Sequence, residues 1–522
     1  MRVCRSITPG ALMLLLALAL SAGARQVPVT ILCTTDVHGH VLPYLDSAGG
    51  KEIGGMLRCA SAIEDVRRKA PNVLYVDCGD LIQGTAESWL TQGRIMTRTL
   101  EWLRCDAWVL GNHDFDWGVD ALVALHDQTS LNMLCANLVA RPDATNRLYK
   151  VKPFVIKDVD GVRVAIVGLT TPGIPTWTRP DMLGNVGFTR SVGALAEIMP
   201  SVRAERPDIL VLLVHQGYQE LGDDNANEVN QLARSFPEFD VMLGGHLHKP
   251  LASVRLNGVL YSQAGYYGNW LGRVDLVFDT VRKKVVSKTA DVIPIEDRYE
   301  ENSELKSLLR TDLDKAESYL NEKLGVAETG LVASVKMPAQ SPIQQLICKS
   351  IIQSAKADIA LHGILAEGSI EPGEIRRSDI WRIIPYENRI GVAELTLQEI
   401  REILEENTEL IGSTQFLGVY GLSYELHPNA PPGERVRNLC LADGSKPHAR
   451  KRFRVAMNSY ALAAGGGRFP VLREIAERPE SRLEMTEVDT RTAVVEYVRK
   501  HSPLRIEAGT GVTVVRHEDP KH

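Results

Sequence analysis

The stretch VLGNHDFDWG, residues 109–118, joins an apolar run to a dense group of polar side chains. Asn112, His113, Asp114 and Asp116 follow that run directly. Burying so many polar groups beside a hydrophobic segment costs free energy unless a charged or hydrogen-bonding partner compensates. The pattern therefore predicts the end of a buried strand and, after it, a loop with a chemical function, for which a bound metal ion is one explanation.

Similar short apolar runs alternate with helical patterns through the first half of the chain. Several of them are apolar at every position, as expected of strands that are covered on both faces, and they predict a layered α/β domain. The predicted strands are 29–35, 73–77, 107–110, 162–169, 209–215 and 240–243, and the predicted helices are 56–70 and 87–103.

The domain organisation follows from length and from a change in composition. A chain of 522 residues exceeds one ordinary domain and favours two. From about Pro294 the sequence becomes highly charged and helical in period, and it contains no glycine until Gly325. We interpret this segment as a connecting helix, 299–328, between a first domain, 25–298, and a second α/β or α+β domain, 329–522.

Residues 1–24 have the features of a signal peptide. Arg2 and Arg5 precede an apolar run, 11–20, and small residues follow at 22–24. That run is too short to anchor the chain in a bilayer. We therefore predict a periplasmic or secreted protein without a membrane span, and the absence of an N-x-[ST] sequon favours the bacterial periplasm.

Charge and cysteine content exclude several classes of function. The formal charge of −6 becomes about −8 when Arg2 and Arg5 are lost with the signal peptide. A negatively charged protein binds nucleic-acid polymers poorly, so we predict no such partner. Seven cysteines remain, without C-x-x-C spacing, which excludes a cysteine zinc framework and leaves at least one thiol unpaired.

Polar side chains stand at the ends of several predicted strands. Because the carboxyl ends of parallel strands line one crevice, we expect these side chains to share a site. Carboxylates, imidazoles and one amide oxygen suit Mn, Fe, Zn or Co. Two such ions lie about 3.5–4 Å apart and need a bridging ligand, for which Asp80 is the candidate. The residues are Asp36, His38, Asp80, Asn112, His113, His215, His246 and His248.

The segments DVHGH, DCGD, GNHDFD, VHQG and GGHLH, in this order, resemble the five motifs of the calcineurin-like metallophosphoesterases. With the signal peptide, the charged connector and the second domain, the chain resembles the secreted bacterial 5'-nucleotidase family, which includes UDP-sugar hydrolases and 2',3'-cyclic phosphodiesterases. The resemblance spans nearly all of the mature chain. It implies a four-layer α/β/β/α sandwich followed by a second, substrate-binding α/β (α+β) domain.

The resemblance also implies a role for each residue of the group. One divalent ion would be held by Asp36, His38, Asp80 and His248, and the other by Asp80, Asn112, His215 and His246. His113 would stabilise the transition state or protonate the leaving oxygen, oriented by Asp116, while a metal-bound hydroxide attacks phosphorus. Asp114 is either an outer support of the metal site or a capping residue.

In the second domain, two segments resemble those whose aromatic rings sandwich the nucleobase in the family. They are NSYALAAGGGRF, 458–469, and TQFLGVYG, 414–421, and the corresponding rings are Phe469 and Phe416. A plain core role is the alternative for Phe416. The family's two substrate-binding arginines are absent, and Glu367 in HGILAE stands where one of them is expected.

The sequence thus predicts an exported dinuclear-metal hydrolase that acts on nucleotides or related small phosphate esters. His248 ends the motif GGHLH, where many nucleotidases have Asn or Gln, and this form resembles 2',3'-cyclic phosphodiesterases and thiosulfohydrolases. A cyclic-nucleotide phosphodiesterase and a thiosulfohydrolase of sulfur oxidation are therefore the alternatives. The complete set of ligands disfavours a non-catalytic binding protein.

Overall fold

The structure, a computed structural model, describes residues 25–45, 50–140, 148, 151–178, 180–333, 341–366, 368–446 and 448–515. The predicted signal peptide, 1–24, and Glu367 lie outside these residues.

Two six-stranded sheets form the centre of the N-terminal half. The strands of the first are, in spatial order, Lys284–Pro294, Trp270–Asp279, Gln26–Thr34, Val73–Asp77, Ala107–Val109 and Met133–Leu134. The strands of the second are Pro250–Leu256, Val259–Ala264, Val241–Gly244, Ile209–Val214, Val162–Leu169 and Phe154–Val159. The six predicted strands are all present, within a few residues of their expected ends.

Neighbouring strands in the middle of each sheet run parallel. Gln26–Thr34 pairs in parallel with Val73–Asp77, and Ile209–Val214 pairs in parallel with Val241–Gly244. The carboxyl ends of these strands therefore lie at one edge of each sheet. That edge is where the predicted site residues leave the strands.

The two sheets pack face to face. Ile31 of the first sheet and Ile166 of the second share one apolar core, whereas the adjacent Leu32 belongs to the core between the first sheet and its helices. Val167 likewise belongs to the core on the outer face of the second sheet. Because successive side chains of a strand point to opposite faces, strands that are apolar at every position bury both faces. The predicted four-layer α/β/β/α sandwich is confirmed.

The helices of this half cover the outer faces of the sheets. They are Met56–Lys69, Ala86–Leu90, Arg94–Trp102, Val119–Asp127, Ile174–Trp177, Pro180–Leu183, Ser191–Ala204 and Val229–Ser235, with a 3-10 turn at His113–Phe115. The prediction of one helix over 87–103 is wrong, because the chain turns at Gly93, which has a left-handed φ of 79°. Two short antiparallel strand pairs, Tyr44–Leu45 with Glu52–Ile53 and Leu138–Ala140 with Val186–Phe188, complete the half.

The predicted connector contains one long helix, Ser303–Leu320. Its N-terminus is capped by the Asn302 side chain, which accepts a hydrogen bond from the Leu305 N–H at 2.9 Å. Asp312, buried on this helix, accepts hydrogen bonds from Arg94 and Arg98 at 3.0 and 2.9 Å. The helix is thereby fastened to the N-terminal half.

The C-terminal half is an α+β unit built on a five-stranded mixed sheet. Its strands are, in spatial order, Gly418–Tyr420, Ile359–His362, Arg452–Asn458, Arg389–Thr396 and Glu484–Asp489. A three-stranded sheet consists of Val436–Leu441, Leu422–Leu426 and Val512–Val514, and two strand pairs are Lys323–Ala327 with Gly373–Arg376 and Leu331–Val332 with Ser369–Ile370. Its helices are Pro342–Ala355, Arg377–Ile383, Leu397–Asn407, Ser459–Leu462, Pro470–Ala476 and Thr490–His501, with 3-10 turns at Thr408–Leu410, Gly465–Gly467 and Pro479–Ser481.

Two further observations bear on the sequence predictions. Within the described ranges, the seven cysteines form no disulfide, and only Cys440 among them is not buried. Their burial fits the role of small apolar side chains.

None of the helices in the described part of the chain is long and apolar enough to cross a membrane.

Candidate metal centre and active site

The predicted site residues come together at the carboxyl ends of the two sheets, and five of them have an unusual backbone. Left-handed φ angles of 50°, 50°, 53°, 73° and 53° occur at Asp36, His38, Asp80, His246 and His248. Non-glycine residues adopt this conformation rarely, at a cost of about 1–3 kcal/mol each, and such residues concentrate at functional sites. The surrounding fold therefore holds these loops in a shape that local preference opposes.

The first cluster consists of Asp36, His38, Asp80 and His248. One potential ligand atom from each residue lies within 4.8 Å of the others. Nε2 of His248 is 3.1 Å from Nε2 of His38 and 3.4 Å from Oδ1 of Asp36, and Nε2 of His38 is 3.7 Å from Oδ2 of Asp80. Two imidazole nitrogens and two carboxylates that converge in this way suit a divalent cation.

The second cluster shares Asp80 with the first. Ligand atoms of Asp80, His215 and His246 lie within 4.8 Å of one another, and Nε2 of His215 is 3.1 Å from Oδ2 of Asp80. The amide oxygen of Asn112 adds a fourth donor, 3.2 Å from Nε2 of His215 and 2.9 Å from Nδ1 of His246. The shared carboxylate gives the two clusters the arrangement of a dinuclear site.

Backbone carbonyls fix the orientation of two of the histidines. Nδ1 of His38 donates to the Gln83 carbonyl at 3.0 Å, and Nδ1 of His215 donates to the Cys78 carbonyl at 2.7 Å. Because a carbonyl can only accept, each ring carries a proton on Nδ1, and its Nε2 faces the clusters. This support by an outer partner is characteristic of metal-binding histidines.

The charges of the cluster residues follow from burial and from their neighbours. Burial lowers the pKa of His38 to about 3, and burial together with His215 lowers the pKa of His246 to about 4. These imidazoles are neutral near pH 7, the form that binds a metal. Burial alone would raise the pKa of Asp80, yet the facing His215 holds it well below its ordinary range.

Asp114 has a structural role that the sequence left open. Its Oδ1 accepts the backbone N–H of Leu81 and Ile82 at 3.0 and 3.1 Å, and its Oδ2 accepts those of Asp80 and Gly111 at 3.1 and 2.8 Å. The carboxylate thereby ties together the loops that carry Asp80 and Asn112. Asp114 is an outer support of the cluster and not a helix cap.

His113 lies beside the first cluster without being part of it. Its ring centroid is 5.1 Å from that of His38, and its backbone N–H donates to Oδ1 of Asp80 at 2.7 Å. Nδ1 donates to Oδ2 of Asp116 at 2.7 Å, which leaves Nε2 for another partner. Burial would lower the pKa of His113, but the carboxylates of Asp116 and Asp80 raise it to about 10. The ring is therefore protonated at neutral pH.

A cavity of about 480 Å³ adjoins the first cluster and lies between the two halves of the chain. From the N-terminal half it is lined by His38, His40, Tyr44, Gln83, Gly84, Thr85, Ala86, Glu87, His113, His248 and Tyr267. From the connector and the C-terminal half it is lined by Leu320, Ala366, Ser378, Trp381, Arg382, Pro385 and Tyr386. Its volume suits a small organic group.

Sequence reasoning missed the aromatic residues of this cavity. The Tyr386 ring is nearly parallel to the ring of His113, with centroids 6.4 Å apart, and Tyr267 stacks on His40 at 3.9 Å. No local pattern marks Tyr386, because the cavity forms only where the two halves meet. The pair of tyrosines in AGYYG, 264–268, was the one available signal.

The two phenylalanines predicted to bind a nucleobase are buried. Phe469 is 2% exposed and belongs to the apolar core of the C-terminal half, and Phe416 is 6% exposed. Neither is among the residues that line the cavity beside His38 and His113. The arrangement does not bring them to the metal clusters, and their role in substrate binding stays a prediction.

Two family models match the chain. Residues 29–250 match the calcineurin-like phosphoesterase domain, and residues 323–474 match the 5'-nucleotidase C-terminal domain. Both clusters of candidate metal ligands lie within the first match.

Individual relatives give the same result. The chain is 24% identical, over 92% of its length, to the endonuclease YhcR of Bacillus subtilis, of which it covers only 40%. It is 24% identical to a 5'-nucleotidase of Vibrio parahaemolyticus, with 92% of this chain and 90% of that protein covered. The fold resembles the crystal structure of a 5'-nucleotidase precursor from Thermus thermophilus, with a TM-score of 0.72, 24% identity, and 94% of this chain and all of that chain covered. The chain therefore belongs to the 5'-nucleotidase family of metallophosphoesterases, with a calcineurin-like phosphoesterase domain followed by a 5'-nucleotidase C-terminal domain.

Proposed function

We propose that the protein is an exported metal-dependent phosphoesterase that hydrolyses nucleotides or related small phosphate esters. The observation that carries this proposal is the carboxylate of Asp80, which belongs to two converging groups of histidine and carboxylate ligands. A carboxylate that is shared by two sets of ligands brings two ions close together, and two adjacent ions are the arrangement that hydrolyses phosphate esters in many enzymes.

Two donor sets support an assignment of the residues that would hold the ions. They are Asp36, His38, Asp80 and His248 for one ion and Asp80, Asn112, His215 and His246 for the other. Mixed oxygen and nitrogen donors suit Mn, Zn, Fe or Co. Bound there, the ions would supply Lewis acidity and an activated water near neutral pH.

His113 and Asp116 would handle the proton. The Nε2–H of a protonated His113 can donate to the ester oxygen that leaves, because Nδ1 is already engaged by Asp116 at 2.7 Å. The same hydrogen bond prevents the ring from rotating and stabilises its charged form. General acid catalysis of this kind contributes about 10²–10⁴-fold to the rate.

The cavity beside His113 would receive the group that leaves with the ester oxygen. It adjoins the first cluster and carries the rings of Tyr44, Tyr267, Tyr386 and Trp381. Aromatic walls of this kind favour a flat apolar group, such as a nucleobase, through stacking and burial of apolar surface. The cavity thus supports a substrate that combines an aromatic ring with one or more phosphate groups.

Phosphate release by the mature protein, residues 25–522, loaded with Mn²⁺ tests the proposal. The substrates are AMP, 2',3'-cyclic AMP and a generic aryl phosphate. We expect release from AMP that falls about 10²–10⁴-fold in His113→Ala. His448→Ala is the matched control, because His448 is an exposed residue of the C-terminal half. Release should also disappear with a chelator and return with Mn²⁺.

The alternatives give different results with the same substrates. Opening of the cyclic ester leaves the phosphate on the nucleoside, so it is followed by chromatography of the nucleotide product, and ring opening with no phosphate release from AMP would favour a cyclic phosphodiesterase. Hydrolysis of the aryl phosphate alone would retain the metal mechanism and exclude nucleotides, and a thiosulfohydrolase would then be tested with sulfur-bearing carriers. No release from any ester by protein with two bound ions would refute the proposal. Export to the periplasm or the medium is tested by N-terminal sequencing of the mature protein.

A further inference from the structure

Glu387 of the C-terminal half forms polar contacts with the N-terminal half beside the metal clusters. Its Oε2 accepts a hydrogen bond from Nε2 of Gln83 at 3.3 Å and another from Nε1 of Trp117 at 3.4 Å. Both donors come from segments more than 250 positions away in the chain. One carboxylate oxygen of the C-terminal half therefore contacts two active-site loops.

Arg491 holds the other side of this carboxylate. Nη1 of Arg491 donates to Oε1 of Glu387 at 2.9 Å, and Nε donates to the carbonyl of Ile384 at 2.9 Å. The guanidinium carbon lies 3.3 Å from the ring centroid of Trp381, a cation–π contact, and Arg491 is 5% exposed. Breaking a buried ion pair on one side is costly, so Glu387 is firmly oriented.

The two partners of Glu387 lie next to a predicted metal ligand, His38, and the predicted catalytic pair, His113 and Asp116. The carbonyl of Gln83 accepts the hydrogen bond from Nδ1 of His38, which directs Nε2 of His38 into the first cluster. Trp117 follows Asp116, the carboxylate that orients His113. Contacts thus connect Glu387 to His38 through one residue and to His113 through the adjacent loop.

The polar side chains around Glu387 are not arranged for the greatest stability. Within the described residues, Nη2 of Arg491, Nε1 of Trp381 and Oε1 of Gln83 are buried without a hydrogen-bond partner in the protein. Unpartnered buried polar atoms cost free energy, and an apolar contact between the two halves would avoid this cost. A role in activity accounts for polar residues at this position better than a purely structural role.

We propose that Glu387, held by Arg491, is a positioning residue that aligns His38 and His113 when the C-terminal half is seated on the N-terminal half. The inference rests on the proposed function for its kinetic consequence, but its effect on metal binding does not. Loss of the carboxylate releases Gln83 and Trp117, so that the His38 imidazole loses its fixed support. Turnover and affinity for the metal then fall, while binding of a substrate that contacts only the metal clusters changes little.

The test compares Glu387→Ala with wild type in the full mature protein. Partners that orient metal ligands contribute about 10–100-fold to affinity or activity, and Glu387 acts one hydrogen bond farther out. We therefore expect about 10-fold lower kcat on the aryl phosphate, KM within about 2-fold, and about 10-fold weaker Mn²⁺ binding by titration calorimetry. Glu409→Ala is the matched control, because Glu409 pairs with Arg435 inside the C-terminal half.

A double-mutant cycle with Gln83→Ala separates positioning from general loosening. If Glu387 acts on His38 through the Gln83 segment, the double variant binds Mn²⁺ no more weakly than the worse single variant. Independent losses that multiply would overturn the inference, as would unchanged Mn²⁺ affinity in Glu387→Ala. A raised KM with normal kcat and normal Mn²⁺ affinity would show a structural contact only.

Two controls keep the result interpretable. If Glu387→Ala does not fold, Glu387→Gln removes the charge with little change in shape and is expected to change Mn²⁺ affinity in the same direction. If wild type cleaves none of the esters, the proposed function fails, and the Mn²⁺ titrations still decide whether Glu387 positions the metal ligands.

Discussion

Replacing Asp114 tests how the loops of the metal centre are held without any ion. Its carboxylate is 1% exposed and accepts four backbone N–H groups, from Asp80, Leu81, Ile82 and Gly111. Asp114→Ala leaves all four donors without this partner inside the protein. Asp114→Asn retains an oxygen for two of them and turns an amide N–H toward the other two.

The expected loss follows from the number of hydrogen bonds. A buried donor that loses its partner costs about 1–3 kcal/mol, and taking the lower limit for four donors gives about 4 kcal/mol for Asp114→Ala. Asp114→Asn loses two acceptor contacts and should cost about 2 kcal/mol on the same basis. Burial and the nearby Asp80 raise the pKa of Asp114 to about 7, so measurements at pH 8 compare the variants with the ionised carboxylate.

Urea unfolding of metal-free protein at pH 8 measures these losses. Asp120→Asn is the matched control, since Asp120 is an exposed acid of the following helix, and it should change the free energy of unfolding by less than about 1 kcal/mol. A loss below 1 kcal/mol in Asp114→Ala would refute the reasoning. The same would hold if Asp114→Asn were as unstable as Asp114→Ala.

Two other carboxylates give further predictions of stability. Burial raises the pKa of Asp77 to about 8, so at pH 6 its carboxyl is neutral, and Asp77→Asn should cost less than about 1 kcal/mol whereas Asp77→Ala costs about 2 kcal/mol. Equal urea midpoints for the two variants would contradict this. Asp312→Ala removes the buried partner of Arg94 and Arg98, which are themselves partly exposed, so the loss should be about 1–2 kcal/mol. An unchanged midpoint of thermal or urea unfolding would show that the connector helix does not depend on these ion pairs.

The convergence of the candidate metal ligands could be predicted from the sequence. Runs that are apolar at every position identify strands covered on both faces, and polar residues directly after such runs lie at the carboxyl end of a sheet. Asp36, Asp80 and His215 are close in space for this reason, although they are far apart in the chain and the sequence around each one does not indicate the other two. The order of the five motifs, together with their spacing after strands, carried this information.

Local patterns were less reliable where the same short stretch of sequence is compatible with two structures. The spacing over 87–103 fits one helix, yet Gly93 turns the chain because its φ of 79° suits a residue without a side chain. Phe469 follows a glycine-rich loop and is nonetheless 2% exposed in an apolar core. A phenylalanine that stacks on a ligand and one that fills a core have the same local sequence, so only packing separates them.

Strand periodicity and the position of a polar residue after a strand are local properties, so they were enough to predict the layers of the N-terminal half and the residues that converge at its edge. Which residues of the C-terminal half face that edge became evident only from the packing of the two halves. Tyr386 and Glu387 lie about 270 positions from the loop that carries His113 and Trp117, and they meet it because the two halves pack together. Contacts of this kind depend on the relative position of two separate cores, for which no short stretch of sequence has a signature.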